Sequence, residues 1–117
     1  SVGPGLDIDL EELNSPLGSE DGYGWLSGPP IKPLALQAVN EIYNSVDVPV
    51  IGVGGISSAR DLLQFVAAGA SATQMLSSAI SNGVDRYSAI LKDLSKEMEK
   101  VRIEEITSLV GKYDNSR

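Results

Sequence analysis

The 117-residue chain contains no cysteine and no histidine. Within these residues that excludes disulfides, thiolate chemistry, Cys/His zinc sites, Ser–His triads and Cys–His dyads. The absence of cysteine fits a reducing cytosol. No apolar run approaches the roughly 20 residues that span a bilayer, and no signal peptide is visible. No initiator methionine is present: the chain opens on Ser1, so the natural start is expected upstream. Basic clusters are also missing. The net charge of −7 argues against nucleic acid or an anionic membrane as partner.

The composition is otherwise that of a folded chain. An apolar fraction of 42% supports a core, and 21% charged residues is ordinary. The length allows one small domain or a piece of a larger one.

Along the chain, "LDIDLEEL" alternates Leu6, Ile8 and Leu10 with acids, the period of a half-buried strand or hairpin arm. Its Asp7, Asp9, Glu11 and Glu12 read as a solvated face rather than a carboxylate pair or cation site. Residues 14–24 are turn-rich and predict a loop. Pro33 suits a first helical turn, and the spacing of Ala35, Ala38, Val39, Ile42, Tyr43 and Val46 predicts an amphipathic helix over 33–45. The apolar "VPVIGV" at 48–53 predicts a strand covered on both faces, as in parallel sheets. "SSARDLLQFVAAG" predicts a helix with Ser58 and Asp61 as N-terminal capping pair and Gly69 as left-handed terminator. A strand at 71–77 follows. A long helix carries Tyr87, Ile90, Leu91, Leu94, Met98 and Val101 on one stripe, and a short terminal helix ends near Gly111. The last residues, "DNSR", are expected to fray.

Strands alternating with helices imply βαβ units and a parallel sheet. Two parallel strands are too few for a closed barrel of eight, or for a comfortable open sheet. Residues 1–117 are therefore expected to be the C-terminal part of a larger α/β fold, the remainder lying upstream or on another chain.

Gly54 and Gly55 stand between a strand and a capped helix. Glycine N–H groups in such a turn approach a ligand closely and form an anion-binding nest beside a helix N-terminus. The next strand also leads into a loop, at Met75-Leu76-Ser77-Ser78. In (β/α)8 barrels the loops after the last two strands commonly share one phosphate. The competing reading is a plain tight turn at the glycines, with Ser57, Ser58, Ser77 and Ser78 as helix caps.

Three blocks, "WLSGPPIKPLAL" at 25–36, "DVPVIGVGGISSARD" at 47–61 and "AAGASATQMLSSAI" at 67–80, resemble the dihydroorotate dehydrogenase family in order and spacing. That family includes the pyrimidine-reducing domain of dihydropyrimidine dehydrogenase. "SVGPGLDIDLEE" is similar to the segment after the family's sixth barrel strand. The resemblance covers essentially the whole chain. It implies a (β/α)8 TIM barrel carrying FMN and oxidation of dihydroorotate to orotate in pyrimidine biosynthesis. It implies cofactor contacts from Gly28, Gly54, Gly55, Leu76 and Ser77, and a pyrimidine contact from Ser1. The family's catalytic base, a flavin-side lysine and several substrate-binding asparagines lie upstream, so no catalytic residue is expected within these residues.

Two departures stand out. Trp25 occupies a position where the family has glycine, and Leu76-Ser77 replaces a Gly-Thr. "SGPPIKP" is closer to the soluble, cytoplasmic branch. That branch implies fumarate or an NAD-linked iron–sulfur/FAD subunit as electron acceptor, in a homodimer or heterotetramer. Two other readings stay open: a related flavin enzyme acting on another pyrimidine, and a non-catalytic half-barrel that binds phosphate or a partner chain.

Overall fold

In the computed structural model, which describes residues 2–114, Phe65 is wholly buried and anchors a core of Val39, Val50, Ile56, Ala68 and Ala70. These residues come from two helices, two strands and one loop. Their packing sets the path of the chain from Lys32 to Gln74.

A short antiparallel hairpin comes first: β1 (Val2–Leu6) pairs with β2 (Tyr23–Leu26). The alternating "LDIDLEEL" does not form a strand beyond Leu6. Asp9 Oδ1 accepts from the N–H groups of Glu11 and Glu12 at 2.8 and 3.0 Å, and Asp7 Oδ1 accepts from Ile8 N–H at 3.0 Å. Aspartates that bond to nearby backbone compete with a ladder and favour turns. One bridge, Asp9–Asn14, remains, and Leu10 and Leu13 stand in solvent. β2 lies partly inside the segment expected as loop; its Tyr-Gly-Trp-Leu carries little strand signal of its own.

A single 3-10 turn, Pro29–Ile31, leads into α1 (Lys32–Tyr43), which carries Pro33 in its first turn as expected. β3 (Val50–Val53) and β4 (Ala70–Gln74) are parallel and joined by α2 (Ala59–Ala68), a βαβ unit in register from Ile51–Ala72 to Val53–Gln74. The α2 caps are as predicted. Ser58 Oγ accepts from Asp61 N–H at 3.1 Å, and Gly69 closes the helix with φ of 119°. The fold is thus mixed α/β, with its strands in two separate pairs among the described residues.

The expectation that β3 is covered on both faces is corrected. Val50 and Gly52 are buried under the helices, but Ile51 and Val53 are 56% and 55% exposed. α1 and α2 both lie on one side of the strand pair. β4 also ends earlier than expected, because Ser77 opens a six-residue helix, α3 (Ser77–Asn82), that sequence periodicity does not announce.

α4 (Arg86–Lys100) is the predicted long helix, and Ile90 is its buried residue. Leu91, expected on the same stripe, is 62% exposed. The expected terminal helix is one 3-10 turn, Ile106–Leu109. The chain after it docks on α2 through Gly111 N–H to Val66 O (3.1 Å) and Tyr113 N–H to Ala67 O (2.9 Å). The frayed end expected for "DNSR" falls largely outside the described residues. Among those described, no helix is long and apolar enough to cross a membrane.

Candidate functional site

Three chain reversals meet at the C-terminal ends of β3 and β4: the turn after β2, the loop after β3 and the loop after β4. Gly28, Gly54, Gly55, Leu76 and Ser77, all expected as site residues, line one cleft of about 350 Å³. Ser27 and Ser77 touch across it, Ser77 Oγ donating to Ser27 Oγ at 3.2 Å. Trp25 forms part of the same wall. An adjoining cleft of about 400 Å³ shares Ser27, Gly28 and Ser77 and adds Ser57 and Ser78. Ser1 lies outside the described residues.

The structure gives the two adjacent glycines a packing reason. A Cβ on Gly54 (φ 139°) would stand 2.5 Å from Ala35 Cβ, and one on Gly55 (φ 76°) 2.6 Å from Gly28 O and 3.1 Å from Lys32 N. Side chains at these φ values are strained besides. The glycines let the loop lie directly against α1 and the Gly28 turn. That packing brings two of the three reversals together.

A buried carboxylate fastens the contact. Asp61, 7% exposed, accepts from Lys32 Nζ at 2.5 Å and from Ser57 N–H and Oγ–H at 3.0 Å each. Burial pushes the Asp61 pKa up. The Lys32 ammonium and the Ser57 and Ser58 donors outweigh it and hold the carboxyl below its ordinary value. A depressed folded-state pKa gives stability that is present above the unfolded value of about 3.9 and lost as pH falls through the folded one. Asp61→Asn is therefore expected to destabilise the protein by about 1–3 kcal/mol at pH 7. Its deficit relative to wild type should shrink below about pH 4. Unfolding of the two proteins in urea at pH 7 and pH 3 checks this; a pH-independent deficit would remove the charge from the account.

The loops are also held from behind. Arg86 donates through its guanidinium to Ser57 O, and Tyr87 Oη donates to Met75 O at 2.5 Å. The sequence reading missed Lys32, Arg86 and Tyr87 in these roles, and saw Asp61 only as a cap. Their partners lie 12 to 29 residues away, beyond the reach of helical or strand periodicity. Of the four serines, Ser58 is the cap it could have been. Ser78 Oγ is buried without a hydrogen-bond partner.

Neither cleft is lined by an acidic residue, although the chain carries 16 acids. With glycine backbone, serine hydroxyls and no carboxylate, the lining suits an anion. It offers no titratable group for proton transfer.

Comparison with known proteins places the chain in one family. The dihydroorotate dehydrogenase family model matches residues 1–98. The catalytic subunit of dihydroorotate dehydrogenase B (NAD(+)) from Methanothermobacter thermautotrophicus is 34% identical over 111 residues, covering 95% of this chain and 36% of that protein. The same subunit from Desulforamulus reducens is 40% identical over 111 residues, covering 92% and 34%. Dihydroorotate dehydrogenase A (fumarate) from Lactobacillus helveticus is 36% identical over 109 residues, covering 92% and 34%. The chain thus spans about a third of the length of the curated relatives it matches.

Proposed function

This chain belongs to the dihydroorotate dehydrogenase family, and from that we propose that it is the FMN-phosphate-binding part of a (β/α)8-barrel oxidoreductase that converts dihydroorotate to orotate in pyrimidine biosynthesis. The observation that carries the reading is the meeting of Gly28, Gly54, Gly55, Leu76 and Ser77, drawn from three distant segments, on one acid-free cleft. A nest of backbone N–H groups at strand ends is suited to a phosphate dianion. In this reading β3 and β4 are the last two barrel strands, whose loops commonly share a phosphate site. The bare face with Ile51 and Val53 supports it, because branched residues fill a barrel interior in layers.

When bound, FMN supplies the hydride-accepting chemistry. This chain's part is to bind and orient. Gly54, Gly55, Leu76 and Ser77 would hold the phosphate, and Gly28 would offer its backbone to the ribityl and phosphate region. The Ser27–Ser77 contact keeps the two walls together. Ser1 is assigned to the pyrimidine. The proton taken from the substrate goes to a base in the remainder of the barrel, which is the first partner this chain requires. A second subunit is the next, supported by relatives named as catalytic subunits; the family resemblance makes it an iron–sulfur/FAD subunit in a heterotetramer, or leaves a homodimer. The resemblance of "SGPPIKP" to the soluble branch supports a cytoplasmic enzyme.

The full-length protein should purify with, or take up, FMN and show a flavin spectrum. Anaerobic dihydroorotate should bleach it, and dihydrouracil should not. A protein that cannot be loaded with FMN overturns the reading. Bleaching by dihydrouracil alone moves it to another pyrimidine.

A further inference from the structure

The pairing of β3 and β4 ends at Val53–Gln74. Beyond it, no ladder fixes how the two loops face each other. Two adjacent residues at the start of α4 take up that task, one on each loop: Arg86 on Ser57 O and Tyr87 on Met75 O. We infer that Arg86 and Tyr87 are positioning residues for the bound phosphate, aiming the backbone of both loops at it from behind; this rests on the phosphate reading above.

The argument is one of peptide geometry. Among the described residues the only cis peptide bond is Gly3–Pro4, so the peptides after Ser57 and Met75 are trans. In a trans peptide the C=O and the following N–H point in opposite directions. Holding Met75 O against Tyr87 turns the Leu76 N–H away from α4, and Leu76 lies on the cleft wall. Holding Ser57 O against Arg86 fixes the peptide that follows Ser57, a residue that lines the adjoining cleft. The bonds therefore decide which way the donors face, not only where the loops sit.

Arg86 adds charge. Among the described residues it has no carboxylate within ion-pair distance, and its Nε is buried without an acceptor. A cation not neutralised by a neighbour, bonded to the loop itself, favours an anion in the cleft.

A pair that merely docked α4 would serve any ligand equally, so the test compares FMN with riboflavin, which lacks the phosphate. Apo full-length protein is titrated with each flavin by fluorescence quenching. Tyr87→Phe removes one oxygen from a half-exposed ring. It should weaken FMN about tenfold and leave riboflavin unchanged. Arg86→Met should weaken FMN on the order of thirtyfold. Arg86→Lys, which keeps the charge but not the planar fork, should fall between Arg86→Met and wild type. Equal weakening of both flavins, or no change in FMN affinity for Tyr87→Phe, overturns the inference. Wild-type protein that shows no preference for FMN over riboflavin overturns the phosphate reading, and this inference with it, before any variant is made.

Discussion

Gly55→Val is expected to weaken FMN binding by more than about 100-fold, a loss of roughly 3 kcal/mol. Two independent terms add. A branched residue must adopt φ of 76°, a left-handed conformation that costs about 1–2 kcal/mol for an L residue. Its Cβ would also stand 2.6 Å from Gly28 O and 3.0 Å from Lys32 Cβ. Overpacking of this kind costs about 1–3 kcal/mol, and relief requires the Gly28 turn to move off the loop. That movement opens the cleft at the point where two of its walls touch and strains the Asp61–Lys32 link behind them. Titration of apo protein with FMN, beside a circular dichroism melt to confirm folding, measures the effect. An unchanged dissociation constant in folded protein would remove Gly55 from the cofactor site.

Phe65→Ala should lower the stability of the full-length protein by about 3–5 kcal/mol. Among the described residues Phe65 is the one large side chain fully buried, and it lies where β3 offers it no side chain: a Cβ on Gly52 would come within 2.6 Å of Phe65 Cδ1 and 3.1 Å of Ala70 Cβ. Removing the ring leaves a void between two strands and a helix. Neither Gly52 nor Ala70 has the atoms to fill it, so collapse recovers little. The loss should appear in the urea midpoint of unfolding. Because β3 and β4 lead into the two loops proposed to hold the phosphate, it should also loosen FMN binding, by less than Gly55→Val does. A loss under about 1 kcal/mol would mean that the site repacks and that Phe65 is not the keystone of this layer.

These two positions show how differently sequence features report. Gly54 and Gly55 are conspicuous in the sequence, where a nest for phosphate accounts for them. The structure supplies a second, steric reason at the same residues, through Ala35, Gly28 and Lys32. Both demand glycine, so the motif is legible before its cause is. Gly52, which carries the packing of Phe65, looked like one more residue in an apolar run.

Local chemistry determined much by itself. The Ser58–Asp61 cap and the Gly69 terminator follow from residues a few positions apart. So do the presence of α1 and α4 and the strand–helix alternation, although Ile42, Val46, Tyr87 and Leu91 of the expected stripes are exposed; the ordered blocks around them revealed the family. Tertiary structure decided the rest. It paired β1 with β2 and left the Asp7–Glu12 stretch beyond that ladder, where aspartate oxygens bond to nearby N–H groups in turns. It put both covering helices on one face of β3 and left Ile51 and Val53 bare. It gave Asp61 a lysine 29 residues away and set Arg86 and Tyr87 behind the loops. A periodicity of 2 or 3.6 reports which way neighbouring side chains face along one element. It carries no information about which distant segment that face will meet, and that meeting is what makes the cleft.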